Sequence, residues 1–368
     1  MVPNCWKAIL FALVLVGISD GLQAQEPLRI ALFTPRQMED PFWGRFIGFA
    51  LKAGSDLGAK VVPHYADGSL PRMRMQIEEA AASRNFQALV FPNFKMGGRA
   101  FLESAERHRV PAFIVNSGFT EGELVGVPRE QFRYWIGELL PDEEDAGATL
   151  AESLIQAGLV RLQPGAQLEM FALTGIVSDY ASIERTRGLA RTVARYPEVQ
   201  LHQVVPANWK AEDAARSFRI LHNRFPEVQV VWCASDVMAR GVVEEALRLG
   251  LQPGKDLLVG GFDWAETGLQ GVRSGVQWSS VGGHFLEGGW SVVMVFDYFR
   301  QEDFASLGTR WRSRMGMVTH PTWASLAPSL EHLNPEVLDF REESRSLNPR
   351  HVYDLQVAQV LQRVRNEF

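Results

Sequence analysis

Residues able to grip a small polar molecule recur at one kind of place in this 368-residue chain, just past the ends of short apolar runs. After Leu28 to Phe33 comes Asp40-Pro41-Phe42-Trp43; after Ala88 to Phe91 comes Asn93-Phe94; after Ala112 to Val115 comes Asn116-Ser117. Further on, Tyr180 with Arg185, Asn208-Trp209, Ser235-Asp236, Asp263-Trp264 and His284 each follow a run of the same kind. Every group offers an aromatic, a charge or a side-chain hydrogen bonder. Aromatic faces cover the C–H surface of a polyhydroxylated molecule, while carboxylates, amides and Arg bond its hydroxyl rim. Asp, Asn and Ser at such places also cap the helices that follow. Trp43, Trp209 and Trp264 have no capping role to play, and together they favour a lined cleft.

Other chemistries leave no mark. The turn after the first run lacks Gly-x-Gly-x-x-Gly, and no Walker motif occurs. The eight His residues are scattered, with no His-x-x-x-His pair. Neither catalysis, a cofactor nor a metal is expected. Cys233, inside Val230-Val231-Trp232-Cys233-Ala234, reads as a small core residue.

The elements that must position these residues follow from periodicity. Apolar runs of strand length alternate with helix-period segments, which predicts parallel sheets with crossover helices. A helix over 42–57 carries Phe46, Phe49, Ala50, Ala53 and Leu57 at core spacing, and another lies around 100–107. The pattern restarts at Pro141-Asp142-Glu143-Glu144-Asp145, ahead of a helix through Ile155. Strands are expected near 167–173, 199–205, 228–233, 256–262 and 275–281. In open sheets of this kind, ligands bind beyond the carboxyl ends of the strands.

The N-terminus points to a compartment. Lys7, an apolar run from Ala8 to Ile18 and Leu22-Gln23-Ala24 follow the order of a secretory signal peptide. The run is about 11 residues, short of the roughly 20 that span a bilayer. Residues 1–24 are expected to be removed, leaving a soluble periplasmic protein with Cys233 unpaired. A net charge of −6 carries no electrostatic footprint for nucleic acid.

Over roughly residues 28–300 the chain resembles the periplasmic binding proteins of the ribose and galactose type. Asp40-Pro41-Phe42-Trp43 resembles that family's Asn-Pro-Phe-aromatic turn, and Arg185-Thr186-Arg187-Gly188 its Arg-x-Arg-Gly motif. Ser235-Asp236-Val237-Met238-Ala239 resembles Asn-Asp-x-Met-Ala, and Gly260-Gly261-Phe262-Asp263 resembles Val-Gly-Phe-Asp. The resemblance implies an α/β fold of two Rossmann-like lobes, each a parallel sheet flanked by helices, joined by a three-crossover hinge. The ligand cleft then lies between the lobes. Crossings are expected near Gly137–Leu140, Gly282–His284 and Arg314–Met317. The first lobe is then 25–138 plus 284–314, and the second 139–283 plus 315–368 with its C-terminal extension.

The implied function is capture of a sugar or sugar-like solute for delivery to an inner-membrane ABC permease. Quorum-sensing periplasmic co-receptors are also similar, which gives the alternative of presentation to a membrane sensor kinase or cyclase. A monomer is implied in either case. Phe42, Trp43 and Trp209 are expected to stack on the ligand, Arg185 and Asp263 to bond its hydroxyls, and Asp40, Asn116 and Ser235 to assist. Trp264 and His284 complete the set. Ribose binders have Asp-Arg where Asn116-Ser117 stands and a Gln where Gly282 stands, so ribose itself is not implied. Replacing Arg185 or Asp263 with Ala is expected to abolish binding and leave the fold intact. In the tail, Val352, Leu355, Val360, Leu361 and Val364 suggest a last amphipathic helix. It either packs on its own lobe or docks a sensor.

Overall fold

The computed structural model describes residues 26–367, so the expected signal segment lies outside the described residues. Strands covered on both faces need no polar alternation. Accordingly Ala88–Phe91, Ala112–Val115 and Val230–Cys233 are apolar and buried throughout.

The chain first lays down β1 (Arg29–Thr34), α1 (Trp43–Leu57), β2 (Lys60–Tyr65), α2 (Leu70–Ala82) and β3 (Ala88–Phe91). Then come α3 (Gly98–His108), β4 (Ala112–Val115) and β5 (Trp135–Pro141). It crosses to a second lobe as α4 (Glu143–Leu159), β6 (Leu168–Thr174), α5 (Tyr180–Val193), β7 (Val199–Pro206) and α6 (Ala211–Arg224). That lobe continues through β8 (Val230–Cys233), α7 (Asp236–Arg248), β9 (Leu258–Phe262), α8 (Glu266–Ser274) and β10 (Ser279–Gly282). The return adds α9 (Glu287–Phe299) and β11 (Arg310–Ser313) to the first lobe. β12 (Gly316–Thr319), α10 (Trp323–His332) and α11 (Val357–Glu367) follow.

The two sheets share one plan. Their orders are β11-β5-β4-β3-β1-β2 and β12-β10-β9-β8-β6-β7. All pairings are parallel except β10 with β12. Pro63 sits in the edge strand β2, where a missing N–H costs no ladder bond on the open side. Helix α1 buries Phe46, Ile47, Phe49, Ala50, Ala53 and Leu57, and Gly58 in the left-handed region (φ 66°) ends it.

The first crossing comes later than expected. β5 stays in the first sheet as far as Pro141, which pairs with Ser313 of β11. Residues 139–141 therefore belong to the first sheet, and the chain changes lobe at Asp142. The second crossing follows Gly282, after which the turn 284–286 packs on α1. The third lies between Ser313 and Gly316.

The extension does not stay with the second lobe, against expectation. Past α10 the chain returns to the first lobe. There the Phe340 N–H donates to Asp56 at 3.0 Å, and Lys52 donates to the Leu338 carbonyl at 2.9 Å. The buried Asp297 of α9 accepts from the Arg345 and Ser346 amides and from the Tyr353 hydroxyl, at 2.8, 3.1 and 2.6 Å. Gln356 then bridges to Arg314 at the third crossing. Val357 packs where a Cβ on Gly283 or Gly316 would stand, beside two of the three crossings. Val360, Leu361 and Val364 are buried in α11. Leu355 is buried ahead of that helix, whereas Val352 is exposed and lies outside it. A stripe spent on internal packing is no free docking surface. Among the described residues, no helix is long and apolar enough to cross a membrane.

Candidate functional site

Backbone strain gathers at the strand ends. Thirteen non-glycine residues among those described have positive φ, and eight of them lie within five residues of a parallel strand's carboxyl end. These include Asn116, Asn208, Trp209, Asp263 and Trp264. Such conformations cost about 1–3 kcal/mol each and persist where the surrounding structure over-determines them. Here they concentrate where the two lobes face one another.

On the second lobe a close helix contact sets up the charge. Gly147 of α4 and Gly188 of α5 face each other's backbones, where added Cβ atoms would lie 2.1 and 2.0 Å from carbonyl oxygens. That approach brings Glu143, at the start of α4, onto Arg185 of α5. The pair is bidentate, Nε to Oε2 at 2.6 Å and Nη2 to Oε1 at 3.1 Å, and both side chains are buried. Arg185 Nη1 also donates to the Ala234 carbonyl at 2.7 Å and to Asp263 Oδ1 at 3.3 Å. Its Nη2 lies 3.3 Å from His284 Nε2.

Burial lifts the Glu143 carboxyl above its usual range against the pull of Arg185, and the bidentate geometry keeps it the anionic partner. Arg185 itself is held more firmly protonated: burial opposes its charge, and Glu143 and Asp263 outweigh that. Asp263 is pushed up to about 6, mainly by burial, with Glu143 and Asp40 adding and Arg185 opposing. Burial, with Arg185 alongside, holds His284 well below its ordinary value, so the ring is neutral. The 3.7 Å approach of Asp263 to His284 Nε2 is therefore not an ion pair.

The first lobe contributes the aromatic side. Asp40 Oδ1 accepts from the Phe42 and Trp43 amides at 3.0 and 2.9 Å, fixing the turn into α1. The Phe42 ring stacks on His284 with centroids 4.5 Å apart, and meets Trp43 edge-on at 5.3 Å. Asn116 faces the buried Glu287, whose carboxyl burial pushes well up. On the other lobe, half-buried Trp209 covers Gly175 and donates its indole N–H to Asp179 at 2.8 Å.

Two expected residues do other work. Trp264 is fully buried in the hydrophobic core, its N–H on the Ser280 carbonyl at 3.1 Å and its ring against Gly282 and Gly316. A ring enclosed by backbone has no free face to stack on a ligand. Ser235 is buried and caps α7, accepting from the Met238 amide at 3.2 Å. Its neighbour Asp236 is structural as well, accepting from Gln277, Ser280 and the Ala265 amide.

Glu143, Asp179 and Glu287 were absent from the expected set. Glu143 stood in plain view in the acidic patch at 141–145, but that patch reads equally well as a helix start. A surface groove of about 1000 Å³ runs beside α4 and β12, and none of these site residues lines it. Chemistry, not size, marks the site. Among the described residues no group of three or more His, Cys, Asp and Glu could hold a metal. Cys233 is buried, which pushes its thiol up and leaves it unreactive.

The profile of the periplasmic binding protein domain family matches residues 30–301. A xylitol-binding protein of Mycolicibacterium smegmatis is 26% identical over 173 residues, 47% of this chain and 44% of that one. The chain thus spans less than half the length of that relative. A ribose import binding protein of Haemophilus influenzae is 23% identical over 267 residues, 71% of this chain and 82% of that one. Among solved structures, a periplasmic sugar-binding protein from Pseudomonas fluorescens is similar at TM-score 0.81 and 29% identity. That match covers 91% of this chain and 99% of the other.

Proposed function

The chain belongs to the periplasmic binding protein family, and from that premise we propose that it captures a sugar or sugar-like solute between its lobes. One juxtaposition carries the reading. Phe42, stacked on His284, lies on the first-lobe side of the second crossing, and Arg185 with Asp263 lies on the other. An aromatic face for C–H groups thus meets a carboxylate acceptor for hydroxyls. A solute touching both sides favours the closed state by the contacts it makes only there.

The names of the relatives, for xylitol and ribose, agree in class. Delivery to an inner-membrane ABC permease, residence in the periplasm after loss of residues 1–24, and a monomeric state extend the same reading. No catalysis is proposed, since the family is one of binding proteins.

The test is a thermal-shift screen of refolded protein against pentoses, hexoses and pentitols. A ligand specific to the folded state, at 100 times its Kd, adds about 2.7 kcal/mol, which is several degrees. One clear hit supports the reading and names the solute. Silence across sugars and polyols, with a shift from another chemical class, overturns it.

A further inference from the structure

We infer that Glu143 makes Arg185 a positioning residue instead of a ligand donor, fixing His284 as the Nδ1–H tautomer and leaving Asp263 as the acceptor a solute meets. The inference rests on the proposed capture of a solute between the lobes. A guanidinium has five N–H donors and no acceptor. Nε and one Nη2 proton go to Glu143, and the two Nη1 protons go to Ala234 and Asp263. The last Nη2 proton goes to His284. None is left over.

Since Arg can only donate, His284 Nε2 must accept, and the proton of the neutral ring sits on Nδ1. Nδ1 is buried and has no hydrogen-bond partner among the described residues. A buried donor without a partner calls for an explanation, and a solute hydroxyl supplies one. Glu143 is what keeps this arrangement. It holds the guanidinium at 2.6 and 3.1 Å, against 3.3 Å for Asp263. Without it Arg185 turns toward Asp263 and consumes the acceptor. The site then offers a solute one carboxylate acceptor and one neutral donor, with no cationic donor unpaired. That combination suits neutral hydroxyls and rejects sugar acids.

Two measurements test this. In protein labelled with ¹⁵N-histidine, the His284 resonance, identified by its loss in His284→Gln, should report Nδ1–H alone. Glu143→Gln should give a mixture of both tautomers, and Glu143→Asp, which keeps the charge, should not. A wild-type Nε2–H tautomer overturns the inference even if Glu143→Gln fails to fold, and so does a Glu143→Gln spectrum matching wild type.

The second measurement is calorimetry with matched pairs: D-galactose and D-galacturonate, D-glucose and D-glucuronate, D-xylose and D-xylonate. Binding of a neutral member with at least tenfold weaker binding of its acid is expected. In Glu143→Gln the pH midpoint of that binding should fall. The groups facing Asp263 are Arg185, Glu143, Asp40, His284 and Asp236. The change removes one anion and frees the cation, and both lower the Asp263 value. Preference for an acid, or an unmoved midpoint, overturns the inference while capture stands. Failure of every sugar and polyol overturns the capture and, with it, the solute role of His284 and Asp263; the tautomer result is read apart from either.

Discussion

The two sides of the site are built in opposite ways. On the first lobe, Asp40, Phe42 and Trp43 come from a single turn, tied by two backbone amides donating to the Asp40 carboxylate. On the second, Glu143 from α4, Arg185 from α5, the Ala234 carbonyl after β8 and Asp263 after β9 meet with His284 around one buried cation. A local wall can lose a ring and stay folded. A networked wall cannot lose its centre, because each remaining charge is then buried without a partner. Binding and stability are therefore expected to separate on one lobe and to be coupled on the other.

The strongest break in that comparison is Arg185→Ala. It should lower unfolding stability by about 3–5 kcal/mol, since Glu143 and Asp263 are left uncompensated. Urea denaturation measures it. The sequence-based expectation of an intact fold at this position gives way, because an Arg with every donor used internally is part of the core.

Phe42→Ala should do the reverse. The ring is half-buried, so little stability is lost, while affinity for the solute found by screening falls by about 2 kcal/mol, roughly 30-fold. Calorimetry beside a melting curve would show whether the two quantities separate as stated.

Asp263 sharpens the contrast further. Its folded-state value of about 6 lies above the usual carboxylate value. Its contribution to stability is therefore greatest at low pH and is lost as pH rises through 6; the charge is a cost at neutral pH. Asp263→Asn should raise stability at pH 7.5 by about 1–2 kcal/mol and weaken binding about tenfold. Asn also tolerates the left-handed φ of 97°. In the wild type, affinity should fall roughly tenfold between pH 7 and pH 5 as Asp263 takes up its proton. A flat affinity profile would remove Asp263 from the binding surface.

The smallest effect is expected at Ser235. Its loss to Ala costs about 1 kcal/mol through the cap of α7 and should leave affinity unchanged. A large affinity loss there would return Ser235 to the ligand-contacting set.

What the sequence allowed to be read follows the same division. The strands, the crossover helices and the turn at 40–43 were legible, because each is written in neighbouring residues as an apolar run or a contiguous motif. Arg185 and Asp263 were legible as motif members. Their dependence on Glu143 was not, because 42 positions separate Glu143 from Arg185 and it takes the packing of α4 on α5, closest at Gly147 and Gly188, to bring them together. Trp264 misled for a related reason. A Trp at a strand end looks the same in one dimension whether it faces an opening or closes the core, and packing against Gly282 and Gly316 decides it. The path of residues 338–353 back to the first lobe had no local signature at all.

That path has a consequence for how the protein is made. Helix α1 is synthesised well before Phe340, Asp297 and Tyr353, which finish its lobe. Asp56 and Phe340 are 284 positions apart, so loop closure over that span must precede the reward of packing. A nascent chain can complete the second sheet while the first lobe still lacks its last pieces and leaves apolar surface open to other proteins. Helix α1 waits for residues made 284 positions later.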